Sequence, residues 1–265
     1  MIESITLINN ELNKNILINK TDSPYILDEA DLGVIESSHN SSKYYNQIGE
    51  SLMSSTLGTR VISISGWIIG DSELAIQNRK KEINVLVNPL QDIVLTYDIY
   101  QITMRAKNTI KYSTNYSENN EVMCKFLISA ICYNPLFEDI ATTTTAVTNN
   151  VILINGGTIE TGIKIVISAA GVVKNPKVSL SNGDFIILNK TLSSGEEITI
   201  NTGYGKEKIT GKIGTNEFNY YRYFDYDSTW LKLKLGNNTL SVTAEENASM
   251  LSASISYTNK YLEVQ

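Results

Sequence analysis

Apolar and polar residues alternate along most of this chain, and that period of two predicts strands. Ile5 and Leu7 have polar neighbours, Asn9-Asn10 reads as a turn, and Ile16-Leu17-Ile18 makes a second short strand. From Arg60 to Ile69, Ile62, Ile64 and Ile68 fall on one face, with Ser63 and Ser65 on the other. The period then changes. Ile76, Ile83 and Val87 share a helical face with Leu86 beside it, so a helix is predicted from about Ser72 to Asn88. Asp71 or Ser72 caps its start and Pro89 ends it. Arg79 and Lys80 cross the apolar stripe, so their stems must lie along it with the charges reaching water. Alternation resumes at Ile93, Leu95 and Tyr97 and at Tyr100, Ile102, Met104 and Ala106, with a tight turn near Asp98-Ile99. Val122 to Cys132 is apolar on both faces and is read as an internal strand.

The first half also holds a stretch with no period. Asp22 to Thr59 is mostly polar, with a serine-rich run around His39, and is read as a long loop. After Phe137 the composition changes, through Glu138-Asp139 into a threonine run and Asn149-Asn150. Beyond that, short strands recur between turn signals such as Asn182-Gly183-Asp184 and Gly236-Asn237-Asn238. The organisation expected is a first domain over 1–137, a linker over 138–150 and a second domain over 151–265. The fold class expected is mainly β. It comprises two β-sandwich domains, the first with one α-helix packed on it and the second a sandwich or jelly roll.

Composition narrows the function. Hydrophobic residues make up 42% and charged residues 19% of 265, an ordinary balance for a folded chain. Net charge is -6, which disfavours a non-specific grip on nucleic acid phosphates. The first residues lack the basic and apolar segments of a signal peptide, and no apolar run is long enough to span a membrane. Cys124 and Cys132 fall on one strand about 26 Å apart, too far for a disulfide, which fits folding in a reducing cytoplasm.

Candidate chemistry is sparse. His39 has no predicted partner, and no phosphate loop, zinc motif or nucleophile elbow is present. Asp28, Glu29 and Asp31 do not match a calcium loop. Asp225 and Asp227 share a strand face, which cannot by itself make a paired-carboxylate site. No catalytic residue, metal ligand or cofactor site is assigned. The run from Phe218 to Phe224 is the best ligand surface. Tyr220, Tyr221 and Tyr223 could stack on a sugar or meet another subunit, although filling a sandwich core is the preferred reading.

The order of these pieces resembles the distal tail protein (Dit) family of long-tailed phages. In the first half the resemblance rests on Leu57-Gly58-Thr59-Arg60 leading into the Ile-rich strand, the helix ending at Asn88-Pro89, Leu95-Thr96-Tyr97-Asp98, and Asn134-Pro135-Leu136-Phe137. In the second it rests on Asn175-Pro176-Lys177-Val178, on Gly195 through Thr202, and on Trp230-Leu231-Lys232-Leu233 leading to Leu240. The resemblance implies a first domain that oligomerises into a hexameric ring and a galectin-like second domain. It also implies a structural role in the virion tail tip, with assembly in the bacterial host cytoplasm. The partners implied are the tail tube, the tape-measure protein, and a tail-associated lysin or receptor-binding protein. The chain has no room for an inserted carbohydrate module and resembles a minimal member. The long polar loop is the expected contact with a neighbouring subunit or the tail tube. The alternative function is a carbohydrate-binding module for host-surface recognition that uses the three tyrosines.

Overall fold

The fold was read from a computed structural model, which describes residues 2–264. The chain divides into two compact units, one running to Ile140 and taking in the end from Leu262, the other spanning Ala141–Tyr261.

The first unit is built on strands β1 (Ser4–Asn9), β2 (Lys14–Asn19), β3 (Tyr25–Asp31), β4 (Ile35–Ser42) and β5 (Ser51–Ile69). Helix α1 (Glu73–Leu86) follows, then β6 (Asp92–Tyr97), β7 (Tyr100–Ala106), β8 (Lys111–Tyr112), β9 (Met123–Cys132) and β10 (Phe137–Asp139). Hydrogen bonding runs β7-β6-β1-β2-β3-β5-β9, and β9 returns to β7 through Arg105 opposite Ile131 and Ala106 opposite Ala130. Seven strands therefore close into a barrel, which corrects the sandwich expected for this unit. The alternation reports which face of a strand is buried. It does not say whether that face meets a second sheet or the far wall of its own sheet. Ile5, Leu7, Ile62, Ile64, Ile93 and Leu95 fill the interior.

Among the described residues α1 is the one α-helix. Ser72 caps it, its side chain accepting from the Ala75 N–H at 3.3 Å. Ile76, Ile83 and Leu86 are buried, and Val87 closes the last turn by donating to the Ile83 carbonyl at 2.8 Å. Lys80 reaches across to Asn119 Oδ1 at 3.0 Å with its ammonium 5.2 Å from the centre of the Tyr112 ring. That is the path the crossed stripe required. Buried Asn9 donates to the Leu86 carbonyl at 3.1 Å and so fixes the helix end to β1.

The stretch expected as a loop from Asp22 to Thr59 is mostly strand, because β3, β4 and the first half of β5 lie in it. Both faces of β4 and of residues 51–59 are largely exposed. With no buried face there is no hydrophobic period to read, and a serine-rich strand then looks like a loop.

In the second unit, β11 (Thr143–Val147) falls inside the stretch read as a linker, and its Val147 is buried. The strands that follow are β12 (Asn150–Asn155), β13 (Thr161–Gly162), β14 (Lys164–Ala169), β15 (Val173–Leu180), β16 (Phe185–Ile187) and β17 (Thr191–Leu192). After them come β18 (Glu196–Asn201), β19 (Lys208–Ile213), β20 (Asn216–Asn219), β21 (Lys232–Leu233), β22 (Gly236–Glu246) and β23 (Leu251–Tyr257). They form a six-stranded sheet, β11-β23-β14-β18-β19-β20, a five-stranded sheet, β12-β22-β15-β16 with β17 paired to β15, and a two-stranded pair, β13-β21. Ile165, Ile167, Ile198, Ile200 and Ile255 of the first sheet share one core with Val178, Leu240 and Val242 of the second.

Candidate assembly interface

β5 has two lives. From Arg60 onward it is a barrel strand, paired with β9 from Arg60 opposite Cys132 to Ile69 opposite Met123. Before Arg60 it pairs, among the described residues, only with β4, from Ile35 opposite Arg60 to Ser42 opposite Ser51. The result is a two-stranded arm whose ten residues from Ser51 to Arg60 reach about 33 Å at the usual strand rise. Among the described residues no third strand pairs with either long edge of this arm, so both edges offer backbone N–H and C=O groups that can template pairing with another chain. It also presents apolar side chains to solvent: Tyr45 is 96% and Ile48 101% exposed at the tip, and Leu52, Met53 and Leu57 are exposed along one strand. An isolated hairpin is marginal in water, and this one carries its apolar groups outward. Residues 22–59 hold six carboxylates (Asp22, Asp28, Glu29, Asp31, Glu36, Glu50) against Lys43, so most of the net charge of -6 arises here.

The arm is rooted by Arg60. This side chain is 1% exposed and lies on the inward parity of Ile62, Ile64 and Ile68. Its Nε donates to the Pro135 carbonyl at 2.9 Å, and its Nη1 to the carbonyls of Leu32 at 3.1 Å and Gly33 at 2.7 Å. Its Nη2 donates to the Leu262 carbonyl, and the guanidinium lies 4.8 Å from the centre of the Phe137 ring. Burial lowers the Arg60 pKa from its ordinary value, while carbonyl dipoles and the ring face support the charge. Gly33 is obligatory here. Its φ is +66°, and a Cβ would sit 1.9 Å from the Val61 carbonyl oxygen. The separate motifs at Arg60 and at Pro135 to Phe137 thus meet at one point, which ties together the arm's base, the segment after β9 and Leu262.

The other candidates disperse. His39 lies on the arm, its Nε2 3.0 Å from Ser37 Oγ on the same strand and its Nδ1 2.9 Å from Ser55 Oγ across the pair, so both ring nitrogens are taken up by serines. No group of three metal-ligating side chains occurs among the described residues. Asp28 pairs with Lys125 at 3.1 Å and Asp31 accepts from the Gly33 N–H at 2.8 Å, so those acids do not converge. Asp225 accepts from Asn189 at 2.7 Å and from the Asp227 N–H at 3.0 Å, a turn rather than a pair of facing carboxylates.

The three tyrosines part company. Tyr220 is 4% exposed and donates to Glu196 Oε1 at 2.6 Å. The ammonium of Lys190 is 3.0 Å from the same carboxylate and covers the Tyr220 and Tyr223 rings. Burial, then the hydrogen bond to Glu196, pushes the Tyr220 pKa up to about 12. Burial alone would raise Glu196 as well, but the Ser193 N–H, the Tyr220 hydroxyl and Lys190 outweigh it and hold that carboxyl below its ordinary value. Tyr223 packs edge-on to Tyr220 at 5.3 Å. Tyr221 is 55% exposed, stacked near Phe224 and Trp230.

Neither the arm nor the Arg60 hub was singled out as such from sequence. A signal for the hub existed: a charged residue on the inward parity of an isoleucine-rich strand.

Two family models match the chain in tandem. The phage tail protein RIFT-related domain covers residues 17–132, and the siphovirus-type tail component, C-terminal domain, covers residues 156–261. The chain belongs to the siphovirus-type tail component family. Its two matched segments fall one in each compact unit, so this is a structural phage tail protein. The crystal structure of SPP1 Dit, described as a paradigm of the hub adsorption apparatus in phages infecting Gram-positive bacteria, is similar with a TM-score of 0.72. Identity is 17%, covering 97% of this chain and 98% of that one. A chain of the phage P2 baseplate in its activated conformation with calcium matches at a TM-score of 0.50 and 14% identity over 100% of both chains. Likeness at these identities establishes the fold. No curated protein sequence matches the tail component significantly.

Proposed function

We propose that this chain is the hub of a phage tail tip and works by self-assembly, with the arm of each copy laid on the next to close a ring. The observation that carries this reading is the arm: two free strand edges and an exposed apolar tip, held on a base as rigid as Arg60 makes it. A folded chain gains nothing from such an arm in isolation, whereas a neighbour can pair its edge and cover Tyr45, Ile48 and Leu52. The family resemblance supports six copies per ring, contact with the tail tube and tape-measure protein on one side, and a tail-associated lysin or receptor-binding protein on the other. The barrel unit is the ring-forming part, and the second unit is the galectin-like sandwich. Tyr221 is the member of the aromatic run available to a partner. The chain acts through interfaces and not through catalysis.

The test is light scattering of the intact chain and of a variant in which residues 36–58 are replaced by a two-residue turn. The expected result is an oligomer for the first and a monomer of unchanged circular dichroism for the second. A monomeric intact chain at high concentration, or a shortened chain that still assembles, contradicts the reading.

A further inference from the structure

We propose that the outer face of the six-stranded sheet is a binding site for an anionic polysaccharide. The register of β14, β18 and β19 fixes which side chains point outward. Lys164, Asn201 and Lys208 stand in one row, Val166, Thr199 and Thr210 in the next, and Ser168, Glu197 and Lys212 in the third. Short side chains in the middle row and long ones on both sides make an open trough of about 340 Å³, with Lys206 from the following turn on its rim.

Charge and shape decide the ligand. Four ammonium groups, of Lys164, Lys206, Lys208 and Lys212, face two carboxylates, Glu197 and Glu217. Lys208 lies 3.7 Å from Glu217, and the other three lysines make no ion pair among the described residues. A positive excess on a chain of net charge -6 is local and therefore selective. At the usual strand spacing and rise, the Cα atoms of Lys164 and Lys208 stand about 10 Å apart across the sheet, and those of Lys208 and Lys212 about 13 Å apart along it. One small anion cannot engage lysines placed so widely in both directions of the sheet at once. A polymer with repeated charges can.

Between the lysines, Thr199, Thr210 and Asn201 offer hydroxyls and an amide, donors and acceptors suited to sugar hydroxyls. None of the described residues lining the trough is aromatic or arginine. It therefore lacks the stacking surface that single-stranded nucleic acid uses and the guanidinium fork that grips phosphate best. The site rests on the second unit alone.

The experiment is biolayer interferometry with the intact chain at low and physiological salt. The immobilised probes are polygalacturonate (carboxylate), a yeast phosphomannan (phosphodiester), neutral dextran and a single-stranded oligothymidine. Expected are binding to one or both anionic polysaccharides that weakens with salt, and none to dextran. The preferred probe then identifies the anion. Lys164→Glu with Lys212→Glu should weaken binding at least tenfold, while Lys164→Arg with Lys212→Arg retains it. Lys14→Glu with Lys111→Glu, an equal charge change in the first unit, should leave it unaltered. Thr199→Val with Thr210→Val should also lower affinity severalfold while the melting curve stays intact. Equal binding of dextran, equal binding of oligothymidine, equal loss from the first-unit reversal, or no binding to either anionic polysaccharide at low salt each overturns the proposal.

Discussion

Replacing Arg60 by methionine removes the donor of four hydrogen bonds while keeping a side chain of similar reach. Bonds from a charged donor are worth about 1.5–3 kcal/mol each, so the three to Pro135, Leu32 and Gly33 represent roughly 5–9 kcal/mol. Burying the guanidinium itself costs several kcal/mol, and methionine is spared that. The difference leaves a net loss of about 3–5 kcal/mol, because buried carbonyls left without a donor each cost about 1–3 kcal/mol. For a unit of this size that lowers its melting temperature by roughly 10–20 °C. Calorimetry measures the shift. Hydrogen exchange locates it, with Ile62 to Ile68 losing protection and Ile165 to Ile167 keeping theirs. Arg60→Lys keeps the charge but not the fork and should fall between the two. A loss under about 1 kcal/mol for Arg60→Met, or one spread equally over both units, would refute the view that this residue is the root of the arm.

The second unit carries its own tests. Tyr220→Phe leaves Glu196 one donor short and should cost about 1–2 kcal/mol in chemical denaturation. Because the folded pKa of Glu196 is depressed, its stabilisation is complete above the unfolded value of about 4.3 and is lost as pH falls through the folded value. Melting temperatures below about pH 4.3 should therefore fall less steeply in Glu196→Gln, and an unchanged slope counts against the assignment. A Cβ at Gly211 would lie 1.9 Å from the Tyr220 ring, so Gly211→Ala should destabilise by about 1–3 kcal/mol, measured in urea. Cys132 is buried, which pushes its thiol pKa up to about 12, so iodoacetamide at pH 8 should label it only after unfolding, with mass spectrometry as the readout.

What the sequence made legible follows from where side chains are buried. Ile62, Ile64, Ile68, Ile93 and Leu95 face an interior, and their alternation predicted the strands that carry them. Helix α1 was legible with its Ser72 cap because three buried positions and a serine are local signals. Barrel closure was not, since it depends on the pairing of Ala106 with Ala130, and a long-range register leaves no local pattern. The arm was invisible for the opposite reason: residues that bury neither face have no period, and Ser37 to Ser42 reads as loop. Tyr220 and Tyr223 were grouped with Tyr221 as neighbours in sequence. A short 3₁₀ turn over Tyr221–Tyr223 sends Tyr220 and Tyr221 in different directions, which spacing alone cannot reveal.

Electron microscopy of the purified intact chain tests the central claim most directly. The account predicts closed rings in which density for residues 35–60 lies along the neighbouring copy, with Tyr45 and Ile48 covered. Single particles without rings, or rings whose arms point free into solvent, would contradict it.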